Sequence, residues 1–246
     1  MTSRPIDIPT RETVAFLASH LRPGASVLEI GCGLGHVGSE LQRLGHRVVG
    51  IDADAEVVDR ANARGFAAIR AAWPEFEDGR FDAVAFTRSL HHISALEPAI
   101  EKVRDVLVPE GLLLIEDFAF DAVERSALEW LGSTVRSERA RSLIDPREGE
   151  LVSVLLATSD VEPVWRERHA RFDLHSMPAM LDAVSRRFEV KSTRNVPYLY
   201  RYFVPVLPES REAAELVEDV FREESRLAKI AAFAPIGRRI MATPRA

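Results

Sequence analysis

A glutamate and three closely spaced glycines are the first residues whose types and spacing could do chemistry. Glu29 lies near the end of an apolar run, and Gly31, Gly33 and Gly35 follow it at every second position. Glycine adopts positive φ at little cost and lets the backbone approach a ligand closely, so this stretch indicates a binding loop more than a plain turn. Asp52 follows the next apolar run and adds a carboxylate that can accept hydrogen bonds from hydroxyl groups.

Two classes of ligand would use such a loop. Residues 33–38 match the G-x-G-x-x-G pattern of dinucleotide-binding sites, and Asp52 follows at about the spacing expected for a ribose contact. Glu29 favours the second class, because its carboxylate would repel a pyrophosphate and attract the ammonium and sulfonium groups of S-adenosylmethionine. The loop therefore favours a cationic ligand, with an NAD(P)-dependent oxidoreductase as the alternative.

The adjacent histidines His91 and His92 are the candidate catalytic residues. Neighbouring residues on a strand or loop point in different directions, so we do not expect the two side chains to bind one metal ion together. We expect one of the pair to act in catalysis, with packing and capping as the alternative role, and we predict no metal site. His169 and His175 are interpreted as core or surface residues, with a substrate-facing role as the alternative.

Segments of strand length alternate with segments of helix length and would position these residues. Apolar runs predict strands near 27–30, 47–51, 67–70, 83–87 and 112–116, and amphipathic runs predict helices near 10–20, 36–44, 55–63 and 96–107. The alternation is typical of βα units that build a parallel sheet, and the Pro-Glu-Gly at 109–111 breaks the chain before the fifth strand.

The second half of the chain departs from this rhythm. After Asp117 about 70 residues pass before the next predicted strand at 187–195, far more than the dozen or so that a crossover needs. A helix within 207–233 and a short strand at 238–244 complete the chain. We expect one domain over residues 1–246 with a Rossmann-like α/β fold: a seven-stranded, mostly parallel sheet with an antiparallel last strand, and a helical insert at 118–182 after the fifth strand.

Four stretches carry a resemblance to a known family. VLEIGCGLG, VVGID, FDAVAFTRSLHHI and LVPEGLLLIEDF occur in the order and spacing of the class I S-adenosylmethionine-dependent methyltransferases, which the chain resembles over about residues 10–117. The resemblance implies S-adenosylmethionine as the cofactor, with Glu29 and the three glycines at its methionine end. It also implies that Asp52 binds the ribose and that Ala53 borders the adenine.

The loop before the fourth strand departs from the family pattern. Many members carry an aspartate there that binds the adenine amine, whereas this chain has Ala71 and Ala72. We therefore expect the adenine to depend on backbone groups at Ala72 and on packing against Trp73, for which an ordinary core position is the alternative. Thr87, the last residue of the fourth strand, completes the predicted cofactor-binding set.

Residues that several other enzyme classes require are missing. Tyr198-x-x-x-Tyr202 stands where a short-chain dehydrogenase needs a tyrosine and a lysine, and residues 87–90 lack the Asn/Asp-Pro-Pro-aromatic run of enzymes that methylate amino groups of DNA bases. The only cysteine, Cys32, lies inside the glycine loop and not where cytosine-C5 methylation needs a nucleophile. Glu116 and Asp117 alone would hold Mg²⁺ poorly.

Length, charge and cysteine content narrow the partners. The 246 residues carry a formal net charge of −6, which gives no reason to expect binding to nucleic acid or to an anionic membrane. A single cysteine excludes an intrachain disulfide, and neither a signal-peptide pattern nor an apolar window of about 20 residues occurs. We expect a cytoplasmic protein that acts on a small molecule.

These observations lead to one predicted reaction. A substrate O, N, C or S atom attacks the sulfonium methyl group in line, and S-adenosylhomocysteine leaves. The insert at 118–182 is expected to act as a lid that chooses the substrate, with a contact between two copies in a homodimer as the alternative. The alternative outside enzymes is a methyltransferase-like module that binds the cofactor without turnover.

Overall fold

The computed structural model describes residues 3–245, so the outermost residues of the predicted 1–246 domain lie outside the described part. Within it the strands are β1 (Ser26–Ile30), β2 (Arg47–Asp52), β3 (Ala68–Arg70), β4 (Phe81–Thr87), β5 (Leu107–Phe118), β6 (Phe188–Val196) and β7 (Gly237–Pro244). The α-helices are α1 (Asp7–Ala18), α2 (His36–Arg43), α3 (Ala55–Ala63), α4 (Leu96–Val106), α5 (Arg125–Val135), α6 (Glu138–Leu143), α7 (Leu151–Ala157), α8 (Val161–Ala170), α9 (Met177–Arg187) and α10 (Arg211–Lys229). None of the helices in residues 3–245 is long and apolar enough to span a membrane.

The strands form one seven-stranded sheet in the order β3-β2-β1-β4-β5-β7-β6. β1 pairs in parallel with β2 on one side and with β4 on the other, and β2–β3 and β4–β5 are also parallel. The last strands are antiparallel, so the predicted fold class is confirmed. Because the chain leaves β1 first to one side and later to the other, the carboxyl ends of β1 and β4 flank the crevice where open α/β sheets bind ligands.

The fifth strand differs from its predicted bounds. β5 begins at Leu107 and contains the Pro-Glu-Gly that the sequence places before the strand. Its pairing with β4 shifts between Phe81↔Leu107 and Ala83↔Leu112, and Glu110 has a φ of 65°. The predicted break is therefore wrong: the turn residues form a bulge, which takes up extra residues without ending the strand.

The core on one face of the sheet combines strand residues with one side of each flanking helix. Leu17 of α1, Leu41 of α2, and Val27 and Leu114 of the strands are fully buried in one apolar cluster. Phe66, in the segment between α3 and β3, is fully buried in the same cluster. Apolar residues at helical spacing and in consecutive strand positions produce this packing, which fixes the strand ends that carry the candidate site.

The chain divides into two compact units. We call Thr10–Phe118, His175–Arg194 and 238–245 the sheet unit, and we call 3–9, Ala119–Leu174 and Asn195–Gly237 the helical unit. The glycine loop and both candidate histidines belong to the sheet unit. Most of the predicted insert belongs to the helical unit, whereas α9 packs against α4 within the sheet unit.

A buried carboxylate anchors the helical unit from α10. Glu224 accepts hydrogen bonds from the backbone N–H groups of Tyr198 at 2.7 Å, Leu199 at 3.1 Å and Tyr200 at 3.1 Å. These groups begin a 3₁₀ turn, and their donors would otherwise lack helical partners. Burial raises the pKa of Glu224 to about 7 although the three bonds oppose that change.

Candidate functional site

A cavity of about 350 Å³ lies in the sheet unit at the carboxyl ends of β1, β2 and β4, and we call it the strand-end cavity. Of the predicted site residues, Gly31, Asp52, Ala53, Trp73 and His92 line it. The parallel register brings these positions together, since Ile30 pairs with both Ile51 and Phe86. The remaining predicted residues, Glu29, Gly33, Gly35, Ala72, Thr87 and His91, do not line this cavity.

Two glycines of the loop are required by packing within the protein. Gly31 has a φ of 69°, and a Cβ there would lie 2.5 Å from Cβ of Ser89. Gly35 has a φ of 72°, and a Cβ there would lie 2.4 Å from the ring of Phe66. The absence of side chains therefore lets the loop pack between Ser89, the second residue after β4, and the core residue Phe66.

Asp52 joins the glycine loop to the start of α3. Its Oδ2 accepts a hydrogen bond from the backbone N–H of Gly33 at 3.0 Å, and its Oδ1 accepts one from Asp54 at 3.1 Å. A carboxylate has about four acceptor positions, so Asp52 retains capacity to accept from hydroxyl groups in the cavity. Asp54 caps α3 by accepting from the backbone N–H groups of Glu56 and Val57.

Glu29 and Thr87 form a buried pair on the ends of β1 and β4. The Thr87 hydroxyl donates to Glu29 Oε1 at 2.7 Å, and the Glu29 side chain is 1% exposed. A Cβ on Gly38 would lie 3.0 Å from Glu29 Oε2, so the carboxyl group is close to the first turn of α2. Burial raises the pKa of Glu29 to about 7, and the bond from Thr87 opposes that change. The pair thus places next to the loop a carboxyl group that changes its charge near neutral pH.

The two histidines have different surroundings. His91 is buried, and its Nδ1 lies 2.6 Å from Oδ1 of the fully buried Asp117. The same carboxylate accepts from the backbone N–H groups of His91 at 3.3 Å and Phe118 at 2.9 Å. His92 lies at the cavity, with its ring centroid 4.1 Å from that of His91. Burial, followed by the neighbouring His91, lowers the pKa of His92, and Asp117 opposes the change.

One part of the cavity wall comes from residues before β4. Trp73 is buried, donates from Nε1 to the carbonyl of Ala99 at 3.0 Å and packs edge-on against Phe86. Trp73 thus combines the core position with a place on the cavity wall. Ala71, and not Ala72, lines the cavity, and its backbone N–H donates to the carbonyl of Asp52 at 3.0 Å.

Two further cavity residues, Arg88 and Ser89, were not among the predicted site residues. The Ser89 hydroxyl donates to the carbonyl of Ile30, and Arg88 has a φ of 65° while its N–H donates to the carbonyl of Glu116 at 2.7 Å. A side chain in the left-handed region costs about 1–3 kcal/mol and persists only where neighbours hold it. The sequence points to Ser89 only indirectly: a glycine at position 31 indicates that some other residue packs closely against it, but does not say which one.

Other polar residues near the strand ends have structural partners. The two carboxylate oxygens of Glu116 accept from the Thr13 hydroxyl at 2.6 Å and from Arg239 Nε at 2.6 Å. His175 contacts the carbonyl of Ile93 through Nε2 at 2.8 Å. Across residues 3–245, no group of three or more His, Cys, Asp or Glu residues is placed to hold a metal ion.

Comparisons with known proteins bear on both the sequence and the fold. A family model described as a methyltransferase domain matches residues 8–149, more than half of the chain. An uncharacterized methyltransferase of Mycobacterium tuberculosis is 33% identical over 99 residues, which cover 37% of this chain and 50% of that protein. A ubiquinone biosynthesis O-methyltransferase of Albidiferax ferrireducens is 24% identical over 198 residues, 74% of each protein.

The fold is similar to solved structures at low sequence identity. The geranyl diphosphate C-methyltransferase of Streptomyces coelicolor, solved with S-adenosyl-L-homocysteine, matches with a TM-score of 0.56 at 17% identity, over 96% of this chain and 76% of that chain. Identity at this level supports the fold alone. The chain spans about half the length of the mycobacterial relatives that it matches.

Proposed function

This chain belongs to the class I S-adenosylmethionine-dependent methyltransferases, and we propose that it transfers a methyl group to an O, N, C or S atom of a small molecule. The single observation that carries the proposal is the strand-end cavity, which has a carboxylate, Asp52, on one wall and an imidazole, His92, on another. Cavities of this size at the switch point of an α/β sheet are where such folds bind small ligands.

Residues of the sheet unit would hold S-adenosylmethionine in this cavity. Asp52 would accept from the ribose hydroxyls, Ala53, Ala71 and Trp73 would border the adenine, and Gly31 would lie along the methionine end. Glu29 would act from behind the loop through its charge, because the carboxyl group is buried and contacts Thr87. When bound, S-adenosylmethionine supplies an activated methyl group.

His92 would take the proton of the acceptor. The lowered pKa keeps its imidazole neutral at pH 7, as a base requires, and its place on the cavity wall suits a role beside the acceptor. Asp117 fixes His91 through Nδ1 and the backbone, and His91 packs against His92. Asp117 and His91 are therefore positioning residues, and His92 is the proposed catalytic residue.

The remaining proposals concern acceptor choice and location. We assign the choice of acceptor to the segment 118–182, because residues 120–123, α5 and α8 line a cavity of their own in the helical unit. A reducing, cytoplasmic setting is proposed from the single cysteine, Cys32, which is buried and whose pKa burial raises to about 12.

Titration calorimetry with S-adenosylmethionine and with NADH tests the cofactor. We expect S-adenosylmethionine to bind one site per chain and NADH not to bind. Asp52→Asn should weaken S-adenosylmethionine by about 10-fold to 100-fold, the range for a hydrogen bond that a charged group makes. Asp54→Asn is the matched control, because asparagine caps a helix as well as aspartate does. Equal binding by both variants would remove Asp52 from the site, and tight NADH binding would contradict the proposed reaction.

A further inference from the structure

A second cavity, of about 430 Å³, lies in the helical unit, and we propose that it binds a flat, uncharged aromatic ring, that of the methyl acceptor. The proposal rests on the proposed methyl transfer. We call this the aromatic cavity and define it by Phe120, Leu128, Trp165, His169 and Ala170. Its volume lies in the range of about 300–1,000 Å³ that is typical of small-molecule sites.

Three rings form the wall of the aromatic cavity. The rings of Phe120 and His169 are parallel to within 5°, with centroids 5.4 Å apart. The ring of Trp165 lies 4.2 Å from that of His169 at an angle of 40°. Aromatic rings attract one another in offset-stacked and edge-to-face arrangements, beyond what their buried area provides. The wall therefore favours a flat ring over a puckered, saturated one of the same size.

The polar atoms of this wall bind one another. Trp165 Nε1 donates to the carbonyl of Phe120 at 2.9 Å, and His169 Nδ1 lies 2.8 Å from the carbonyl of Trp165. A carbonyl only accepts, so Nδ1 carries a proton, and Nε2 lies 3.1 Å from the Tyr202 hydroxyl oxygen. Burial raises the pKa of Tyr202, so its hydroxyl keeps its proton. The polar groups of Trp165, His169 and Tyr202 therefore have partners within the helical unit, and the wall offers the cavity its ring carbons.

The charges at the rim of the aromatic cavity balance. Asp121 and Glu162 supply two carboxylates, and Arg125 and Arg166 supply two guanidinium groups. Arg166 pairs with Glu162 at 2.7 Å and Arg125 pairs with Glu129 at 2.8 Å, so each guanidinium group is matched by a carboxylate of its own helix. A rim of this kind attracts neither an anion nor a cation, although it can bind polar substituents of a neutral ring. The ligand is therefore an uncharged arene such as a phenol or an aniline.

The position of this wall in the chain connects it with the acceptor. Phe120 is the third residue after Asp117, the carboxylate at the end of β5 that holds His91. Segments that follow the carboxyl ends of parallel strands carry the ligand-binding groups of open α/β sheets. An aromatic cavity that begins in such a segment is suited to the substrate of the same reaction.

Two probes of equal size test the aromatic cavity by binding. p-Cresol and 4-methylcyclohexanol are titrated into the full chain, with and without S-adenosylhomocysteine, by ligand-observed NMR. We expect p-cresol to bind at least tenfold more tightly than the saturated alcohol. Ala170→Phe should weaken p-cresol at least tenfold, because Ala170 lines the aromatic cavity at the exposed last position of α8. Ala157→Phe, at the exposed last position of α7, is the matched control and should bind as the wild type does.

Turnover decides whether the bound ring is that of the acceptor. The protein is incubated with labelled S-adenosylmethionine and either a set of phenols and anilines or a set of saturated alcohols of the same sizes, with products identified by mass spectrometry. We expect methylation in the aromatic set only, with KM raised at least tenfold by Ala170→Phe and unchanged by Ala157→Phe.

Each outcome has one meaning. Equal binding of the two probes, or p-cresol binding that ignores Ala170→Phe, would overturn the aromatic cavity as a ring site. If the protein binds S-adenosylhomocysteine but methylates no aromatic compound, the ring is not that of the acceptor. Failure to bind S-adenosylhomocysteine at all would instead contradict the proposed methyl transfer, independently of p-cresol binding.

Discussion

Binding of S-adenosylmethionine is expected to release protons at pH 7, because burial raises the pKa of Glu29 to about 7. At that pH about half of the Glu29 carboxyl groups carry a proton when the site is empty. If the sulfonium lies about 6 Å from the carboxylate, the attraction at an effective dielectric constant of about 20 favours the ionised form by about 2.8 kcal/mol. That energy changes the protonation equilibrium about 100-fold, so the bound form is almost fully ionised and about half a proton leaves.

The same coupling makes affinity depend on pH. The cofactor favours ionised Glu29, so its affinity should rise as the pH rises, and the effect should end above the pKa of the empty site. With about 1% of Glu29 ionised at pH 5 and half at pH 7, a 100-fold preference predicts a gain of about 25-fold over this range. In Glu29→Gln this part of the pH dependence should vanish, and affinity at pH 8 should fall towards the value at pH 5.

Calorimetry in buffers of different ionisation enthalpy measures the released proton. The amino group of S-adenosylmethionine can itself exchange a proton with solvent, so the informative quantity is the difference between wild type and Glu29→Gln. Glu40→Gln is the matched control, because Glu40 lies on α2 but is partly exposed and pairs with Arg43 at 2.8 Å. If wild type and Glu29→Gln release the same number of protons at pH 7, Glu29 does not sense the cofactor charge.

Two further predictions follow from the strand ends. His92→Asn should lower kcat about 100-fold or more with unchanged cofactor affinity. Asp117→Asn should lower kcat less and move the acid limb of the pH profile of kcat to lower pH, because Asp117 opposes the lowering of the His92 pKa. An unchanged pH profile in Asp117→Asn would mean that Asp117 has a purely structural role. Gly31→Ala should destabilise the protein by about 1–3 kcal/mol in denaturant unfolding, because its φ is 69° and the new Cβ would lie 2.5 Å from Ser89 Cβ. Adding Ser89→Gly to Gly31→Ala should recover only the part of the lost stability that is due to the clash with Ser89, because the positive φ remains. If Gly31→Ala is as stable as the wild type, this explanation is refuted.

The elements that the sequence predicts well are those with local causes. The predicted strands at 27–30 and 47–51 agree with β1 and β2 to within one residue, because unbroken apolar runs next to turn residues have few other solutions. The helix cap at Asp54 was equally predictable, since a cap needs only residues two and three positions ahead. The bulge at Leu107–Gly111 could not be predicted in this way, because a bulge depends on the pairing with the partner strand.

The parts of the site that the sequence could not predict have causes far along the chain. Ser89 belongs to the strand-end cavity because β4 pairs beside β1, which brings it against Gly31, 58 positions away. The spacing of His91 and His92 predicts that they point differently, but only Asp117, 26 residues later, decides which one is held inward. A motif therefore indicates which residue types matter, and strand pairing decides which of them line the strand-end cavity.

The end of β5 illustrates this division within two adjacent residues. Successive side chains of a strand point to opposite faces, so Glu116 and Asp117 cannot serve one group together. Glu116 binds Thr13 of α1 and Arg239 of β7 and so fastens the sheet unit, whereas Asp117 binds His91 and so sets the imidazole pair. Both carboxylates are buried and both have close polar partners, which accounts for their burial without any metal ion. Strand alternation thus directs one carboxylate to α1 and β7 and its neighbour to the imidazole pair, a distinction that residue type alone does not contain.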